Sequence, residues 1–285
     1  MANTKSSTIL EFDNEAIKAR ENQVARETND QIVERLRERF QILDHMTKAV
    51  KRGEVKSLIV SGPPGVGKSF GVEYVLEKDG LFDVLAERKP RFQVVKGALS
   101  ALGLYAKLFE FSDSKNVLVF DDADQIFFDD LSLNILKAAL DSGNRRFINW
   151  NTDSRLLRSE GIPNRFEFKG GVIFITNLNF AHIKSKKLKD HLDALESRCH
   201  YIDLEMSTMR ERLLRIKQIT QDGMLEKYDF DSPEIAQDEI LEFITANQDK
   251  FREMSLRTVL KVADLRKAFP SNWQAMAKTT LMRRV

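Results

Sequence analysis

A single cysteine, Cys199, is all the thiol chemistry the chain has, so no internal disulfide can brace it and a reducing compartment suits it. No apolar run approaches the roughly 20 residues that a membrane-spanning helix needs. The opening stretch MANTKSSTILEFDNEA also lacks the apolar centre of a secretion signal. The expectation is a cytoplasmic protein without a membrane partner. Net charge is missing too, because 45 basic and 43 acidic residues cancel to +2. Global charge therefore says nothing about nucleic acid, and only local clustering bears on it. His182, His191 and His200 lie near Cys199 in sequence, but their spacing fits no common metal site. Internal repeats and low-complexity linkers are absent. What the chain does have is 285 residues, 42% of them hydrophobic and 31% charged, enough for a substantial core, a polar surface and two domains.

The most informative stretch is Ser57–Phe70, SLIVSGPPGVGKSF. An apolar run the length of a buried strand breaks at glycines and prolines, and an apolar-periodic helix comes next. This is G-x-x-x-x-G-K-[ST] in the strand–loop–helix context that gives the pattern meaning. Gly65 and Gly67 can take backbone angles that aim successive N–H groups at a phosphate chain, with the helix N-terminus behind them. Gly62, Pro63, Pro64, Gly65, Val66, Gly67, Lys68, Ser69 and Phe70 are the candidate nucleotide contacts. Lys68 reaches for the β- and γ-phosphates, and Ser69 for Mg²⁺. The candidate ligands are a nucleoside triphosphate and Mg²⁺. A glycine–lysine loop alone leaves kinases, small GTPases and motor ATPases open.

Later elements narrow the choice. NVLVFDDAD (Asn116–Asp124) reads as a buried parallel strand ending in acids. Asp121 there can share the metal with Ser69, and Asp122 stands where a general base or water-orienting carboxylate is needed. After the apolar strand Val172–Ile175, Asn177 can hydrogen-bond the attacking water or the γ-phosphate. Arg198, within ALESRC, lies between a helix and a short strand. From Ser207 onward strand-like runs disappear and helical patterns take over. The sequence thus divides into an N-terminal arm over residues 1–30, a nucleotide-binding core over 31–205 and a helical domain over 206–285.

These pieces, in this order, resemble the AAA+ ATPases. GPPGVGKS (Gly62–Ser69) is similar to the Walker A motif, VLVFDDAD (Val117–Asp124) to Walker B and FITN (Phe174–Asn177) to sensor 1. ALESRC resembles the motif that supplies an arginine finger, and SLRTVLKVADL (Ser255–Leu265) resembles sensor 2, with Arg257 as its arginine. The resemblance covers about residues 31–268. It implies an α/β fold, a P-loop three-layer αβα core with a parallel sheet, followed by a small all-helical lid. It also implies that the triphosphate is ATP and the chain an ATPase, with Asp122, Asn177, Arg198 and Lys68 as catalytic groups. Arg257 would join the nucleotide contacts, and Arg198 would act on the site of an adjoining copy in a homo-oligomeric ring or spiral. Where the family usually has a glutamate as the second Walker B acid, this chain has Asp122, one methylene shorter, which implies slow hydrolysis.

The stretch Asn144–Gly171 bears on what such an assembly acts on. It interleaves Arg145, Arg146, Arg155, Arg158, Arg165 and Lys169 with Phe147, Trp150 and Phe166. Cations for phosphates and rings for stacking are what single-stranded nucleic acid needs, so Trp150 and the six cations are the nucleic-acid candidates. A hairpin with its rings on the core and its arginines facing neighbouring subunits is the other reading. The expected function is remodelling of DNA or of protein–DNA complexes as a replication or recombination helper. Remodelling of a protein partner, or a nucleotide-switched scaffold with little turnover, are the alternatives.

Overall fold

The computed structural model describes residues 24–85, 90–152, 154–178 and 185–283, together with 22, 180 and 183, save the side chains of 79, 81–85 and 187. Residues 1–21, most of the arm read from the sequence, and His182 lie outside the described residues. The chain groups into two compact units. One comprises Arg39–Gly62 and Lys68–Glu205; the other comprises residues up to Glu38, Pro63–Gly67 and Met206 onward.

The first unit is an α/β layer structure. Its strands are β1 (Ser57–Ser61), β2 (Phe92–Lys96), β3 (Val117–Asp121), β6 (Gly171–Thr176) and β7 (His200–Asp203). They form one parallel sheet in the order β2-β3-β6-β1-β7. The central strands are apolar nearly without interruption because both of their faces are covered. Alternation divides them. Leu58, Val60, Val119 and Ile175 cluster with Leu43 and Val50 of α1 (Asn29–Arg52) and with Val72 and Leu76 of α2 (Lys68–Leu85). Ile59, Leu118, Phe120 and Phe174 cluster instead with Leu104 and Leu108 of α3 (Ala101–Glu110) and with Leu133 and Leu136 of α4 (Asp130–Ala139). Each such buried side chain contributes about 1.5–3 kcal/mol. The three-layer αβα core expected from the sequence is the one observed.

Helix starts reflect local chemistry. Ser100 accepts from the Gly103 N–H at 3.1 Å to open α3, and Asp129 accepts from the Ser132 N–H at 2.9 Å to open α4. Between α4 and β6 the chain makes an antiparallel hairpin of β4 (Phe147–Asn149) and β5 (Arg165–Glu167), bridged by the short α5 (Arg155–Ser159). Ile148 and Phe166 pair across it and are buried. Their neighbours Phe147, Asn149, Arg165 and Glu167 therefore share the outer face. A further helix, α6 (Lys186–Glu196), leads to β7.

The second unit is helical. It contains α7 (Met209–Ile219), α8 (Pro233–Ala246), α9 (Leu256–Ala268) and α10 (Trp273–Leu281) around Ile216, Ile240, Ile244, Val259 and Val262. Trp273 meets Phe243 edge-on at 4.9 Å between centroids. A reciprocal pair starts α7: Thr208 accepts from the Glu211 N–H while Glu211 accepts from the Thr208 N–H. Arg35 then bridges Glu27 at 2.7 Å and Glu211 at 3.2 Å, which is why the residues up to Glu38 group with this unit. From the sequence, Ile240–Ile244 is too short to judge alone. It is part of the buried stripe of the longer α8, which starts at Pro233 and buries Ala236, Ile240, Leu241, Phe243 and Ile244.

Candidate nucleotide site

Three adjacent strands deliver chemistry to one edge of the sheet. β3, β6 and β1 are neighbours and run the same way, so the loops leaving them emerge side by side at the carboxyl ends. Lys68 and Ser69 open α2, Asp121 ends β3 and Asn177 comes directly after β6. The Lys68 ammonium is buried and donates to Gly62 O at 2.6 Å and to Asn177 Oδ1 at 2.8 Å. Asn177 passes the connection on, its amide donating to Asp122 Oδ1 at 2.7 Å. Asp122 is exposed, has a left-handed backbone at φ +52°, and its N–H donates to Ile175 O at 3.1 Å. A non-glycine residue in that conformation is held there by its surroundings.

Ser69 Oγ donates to Asp121 Oδ1 at 2.9 Å. Two hard oxygen donors so placed fit Mg²⁺, which takes one or two protein oxygens and fills its other positions with phosphate and water. The second oxygen of Asp121 lies 3.2 Å from Lys96 Nζ, which also reaches Glu73 at 2.8 Å. The Glu73 hydrogen bond, with a contribution from Asp121, raises the Lys96 pKa above the ordinary lysine value against the cost of burial. Nearby, burial holds Asp124 above the usual carboxylate range, and the charges of Asp122 and Asp121 push the same way; a hydrogen bond with Thr176 and the charge of Lys68 oppose the rise.

The sequence does not single out Lys96 as a site residue, because it places that lysine in a small-residue loop. The signal that finds it is register: β2 and β3 pair Lys96 with Asp121.

The remaining candidates are divided between the two units. Phe70 is exposed at the start of α2 and stacks on Tyr74 at 5.9 Å. Arg198 is exposed just past α6, where it donates to Ala194 O at 2.5 Å and Ser197 Oγ at 3.5 Å. In the helical unit lie Pro63, Pro64, Gly65, Val66 and Gly67, together with Arg257, exposed on the first turn of α9. Within that unit Gly65 O accepts from the Leu256 N–H at 2.8 Å. Gly65 has φ +72°, and a Cβ on it would stand 2.6 Å from Ser255 Cβ, so both conformation and space require glycine there.

The basic set divides. Arg145 is exposed and forms a forked pair with Glu167 at 2.9 and 3.3 Å. Arg145 and Arg165 lie 4.9 and 4.3 Å from the centroid of the Phe147 ring. Lys169, also exposed, stands 3.4 Å from Glu167, and Arg155 and Arg158 are exposed on α5. Arg146 is different and corrects the sequence reading. It is buried, donates to Ala139 O and Gly170 O at 2.8 Å each, and lies over Phe168 at 5.0 Å. Burial depresses its pKa, and its work is to tie the hairpin to α4. Trp150 is half-buried, 5.5 Å from Tyr105, so it too is no free stacking platform.

No family model matches the chain. It is 33% identical over 255 residues to an uncharacterized 36.7 kDa protein from the nrdC–mobD intergenic region of Enterobacteria phage T4, covering 88% of this chain and 76% of that protein. The chain belongs to the family of this phage protein. Its fold is a parallel five-stranded sheet between helices, with the glycine–lysine loop and the acid-ended strand on that sheet and a helical C-terminal region after it. Solved structures resemble it distantly. They include NtrX from Brucella abortus in complex with ATP, at TM-score 0.48 and 11% identity over 83% of this chain and 52% of that one. The ADP form of ORC2 from Aeropyrum pernix has a TM-score of 0.47 at 12% identity, over 85% of this chain and 66% of that one. DnaA bound to AMPPCP and single-stranded DNA has a TM-score of 0.45 at 12% identity, over 84% and 63%. The chain thus spans about half to two thirds of the length of these proteins.

Proposed function

We propose that the protein is a Mg²⁺-dependent ATPase that assembles with copies of itself and remodels DNA or protein–DNA complexes. The observation that carries the ATPase reading is the continuous hydrogen-bonded line Lys68–Asn177–Asp122 at the strand ends. Lys68 holds the β- and γ-phosphates of ATP, exchanging its carbonyl and amide acceptors for phosphate oxygens. Ser69 and Asp121 hold the metal, which neutralises charge on the transferred phosphoryl group. Asn177 and Asp122 orient the attacking water, and Asp122 accepts its proton. With one methylene fewer than a glutamate, Asp122 reaches less far, and turnover is slow.

The exposed guanidinium of Arg198 completes the site of an adjoining copy, where an arginine finger is worth about 10³–10⁵ in rate. The test is complementation. Lys68→Ala and Arg198→Ala should each be inactive alone, and a mixture should regain turnover because one copy lends the arginine and the other the site. Absence of rescue, with both variants folded and co-assembling, overturns the trans assignment.

Support for nucleic acid as the substrate is the outer face of the hairpin. Arg145, Arg165 and Lys169 against the single acid Glu167 make that face cationic. Phosphate contact of this kind is sequence-independent and weakens steeply with salt. ATPase rates with and without single- and double-stranded DNA, at two salt concentrations, test it.

A further inference from the structure

Beside the cationic face of the hairpin lies a groove of about 340 Å³ between α4 and the end of β4. That is within the roughly 300–1,000 Å³ of small-ligand sites. Among the described residues its lining holds no charged side chain: Leu131, Ala138 and Trp150 supply apolar surface over the buried Ile135 and Ile148, and Asn134, Asn149 and Asn151 supply carboxamides. All three asparagines are exposed, and their side chains have no hydrogen-bond partner among the described residues. The indole N–H of Trp150 is buried without an acceptor among the described residues. A buried donor left unpaired costs about 1–3 kcal/mol.

The groove is continuous with the cationic face through one register pair. Asn149 stands directly across from Arg165, on the same outer side as Phe147. The ring of Phe147 already has two guanidiniums against it, so it is not free for a base to stack on. A polyanion lying along Arg145, Arg165 and Lys169 therefore has its phosphates met, but its bases have no platform on that face. The uncharged groove next to it offers apolar side chains for a ring and carboxamides that can match the donors and acceptors of a base edge.

We infer that this groove takes one unstacked nucleobase of a single-stranded nucleic acid whose phosphates lie on the outer face of the hairpin. The inference rests on the nucleic-acid part of the proposed function and adds the base site to it. A cation-rich groove would suit phosphate, and an acid-lined one a basic peptide. An uncharged groove with three free carboxamides beside a cationic strip suits a base on a charged backbone.

The experiment compares a deoxyadenosine oligonucleotide with an abasic oligomer of the same length and charge, binding each to the full chain across a salt titration. The base-bearing oligomer should bind about tenfold more tightly, from apolar burial of the ring and pairing of its edge with the carboxamides. Ala138→Leu, which fills the groove from a helix position that accepts leucine, should erase that difference and leave abasic binding unchanged. Asn134→Ala combined with Asn149→Ala changes only exposed positions, and it should shrink the difference even if Ala138→Leu disturbs packing. Arg165→Ala should weaken both oligomers alike and reduce the salt slope. Equal binding of the two oligomers by the unaltered chain overturns the base site and leaves the groove to a protein segment. So does a base preference that survives both groove variants. If neither oligomer binds at any salt, the nucleic-acid reading itself falls, and the base site with it.

Discussion

Asn177 donates to Asp122 Oδ1 at 2.7 Å while its own carbonyl accepts from Lys68 at 2.8 Å. One neutral side chain thus connects the Lys68 ammonium with the Asp122 carboxylate.

Replacing Asn177 by alanine should lower kcat about 10²-fold while the KM for ATP stays within a few-fold, since one preorganised donor is lost and the phosphate loop is intact. Asn177→Asp should be worse, because it sets a second charge against Asp122. Steady-state hydrolysis decides the matter, and a purely KM effect would place Asn177 in binding.

Lys68→Met strands the Gly62 carbonyl and the Asn177 Oδ1 that the ammonium satisfies, so thermal stability without ATP should fall modestly. Saturating ATP at 100-fold over Kd stabilises a competent site by about 2.7 kcal/mol, and this increment should vanish in the variant. Melting curves with and without Mg-ATP measure both. A surviving shift would take Lys68 out of the site.

Arg146 and Arg165 should separate cleanly. Arg146→Ala strands the carbonyls of Ala139 and Gly170 and empties the space over Phe168, for a loss of about 2–4 kcal/mol. Arg165→Ala, at the exposed outer face, should change stability by less than about 0.5 kcal/mol. Chemical denaturation distinguishes them, and equal losses would contradict the inward position of Arg146.

Glu211 supplies a pH dependence. Burial pulls its pKa up, but hydrogen bonds from Thr208 and Arg35 outweigh that, and the net shift is below the ordinary glutamate value of 4.5. A depressed carboxylate pKa contributes stability above the unfolded-state pKa, and that stability is lost as pH falls through the folded value. The helical unit should therefore weaken below about pH 4.5, and Glu211→Gln should flatten this part of the profile. Circular dichroism across pH tests it; an unchanged acid limb in the variant would assign the loss to other carboxylates.

Much of the site is legible in the sequence because it sits at strand ends. An apolar run fixes where Asp121 and Asn177 emerge, and the glycine loop fixes Lys68. Lys96 escapes for the opposite reason. Its meeting with Asp121 depends on the β2–β3 register, and no local pattern encodes which residues of two separate strands lie abreast. Arg146 is miscast because a run of arginines and rings reads as one basic tract, whereas the pleat of a hairpin sends its neighbours to opposite faces. Only knowing that Ile148 and Phe166 point inward shows that Phe147 and Arg165 point out. The extent of α8 is hidden because Pro233, Glu234 and the exposed Ile235 come ahead of its first buried position, Ala236, whose small side chain marks the apolar face only weakly.

The contact between Gly65 and Ser255 ties the histories of two distant positions together. A methyl group at 65 would collide with the serine side chain at 255, so substitutions accepted at one depend on what the other holds. Exchanging Ser255 for glycine would remove the collision and leave only the backbone penalty of the left-handed turn. Selection can thus sample the pair jointly along paths closed to either residue by itself.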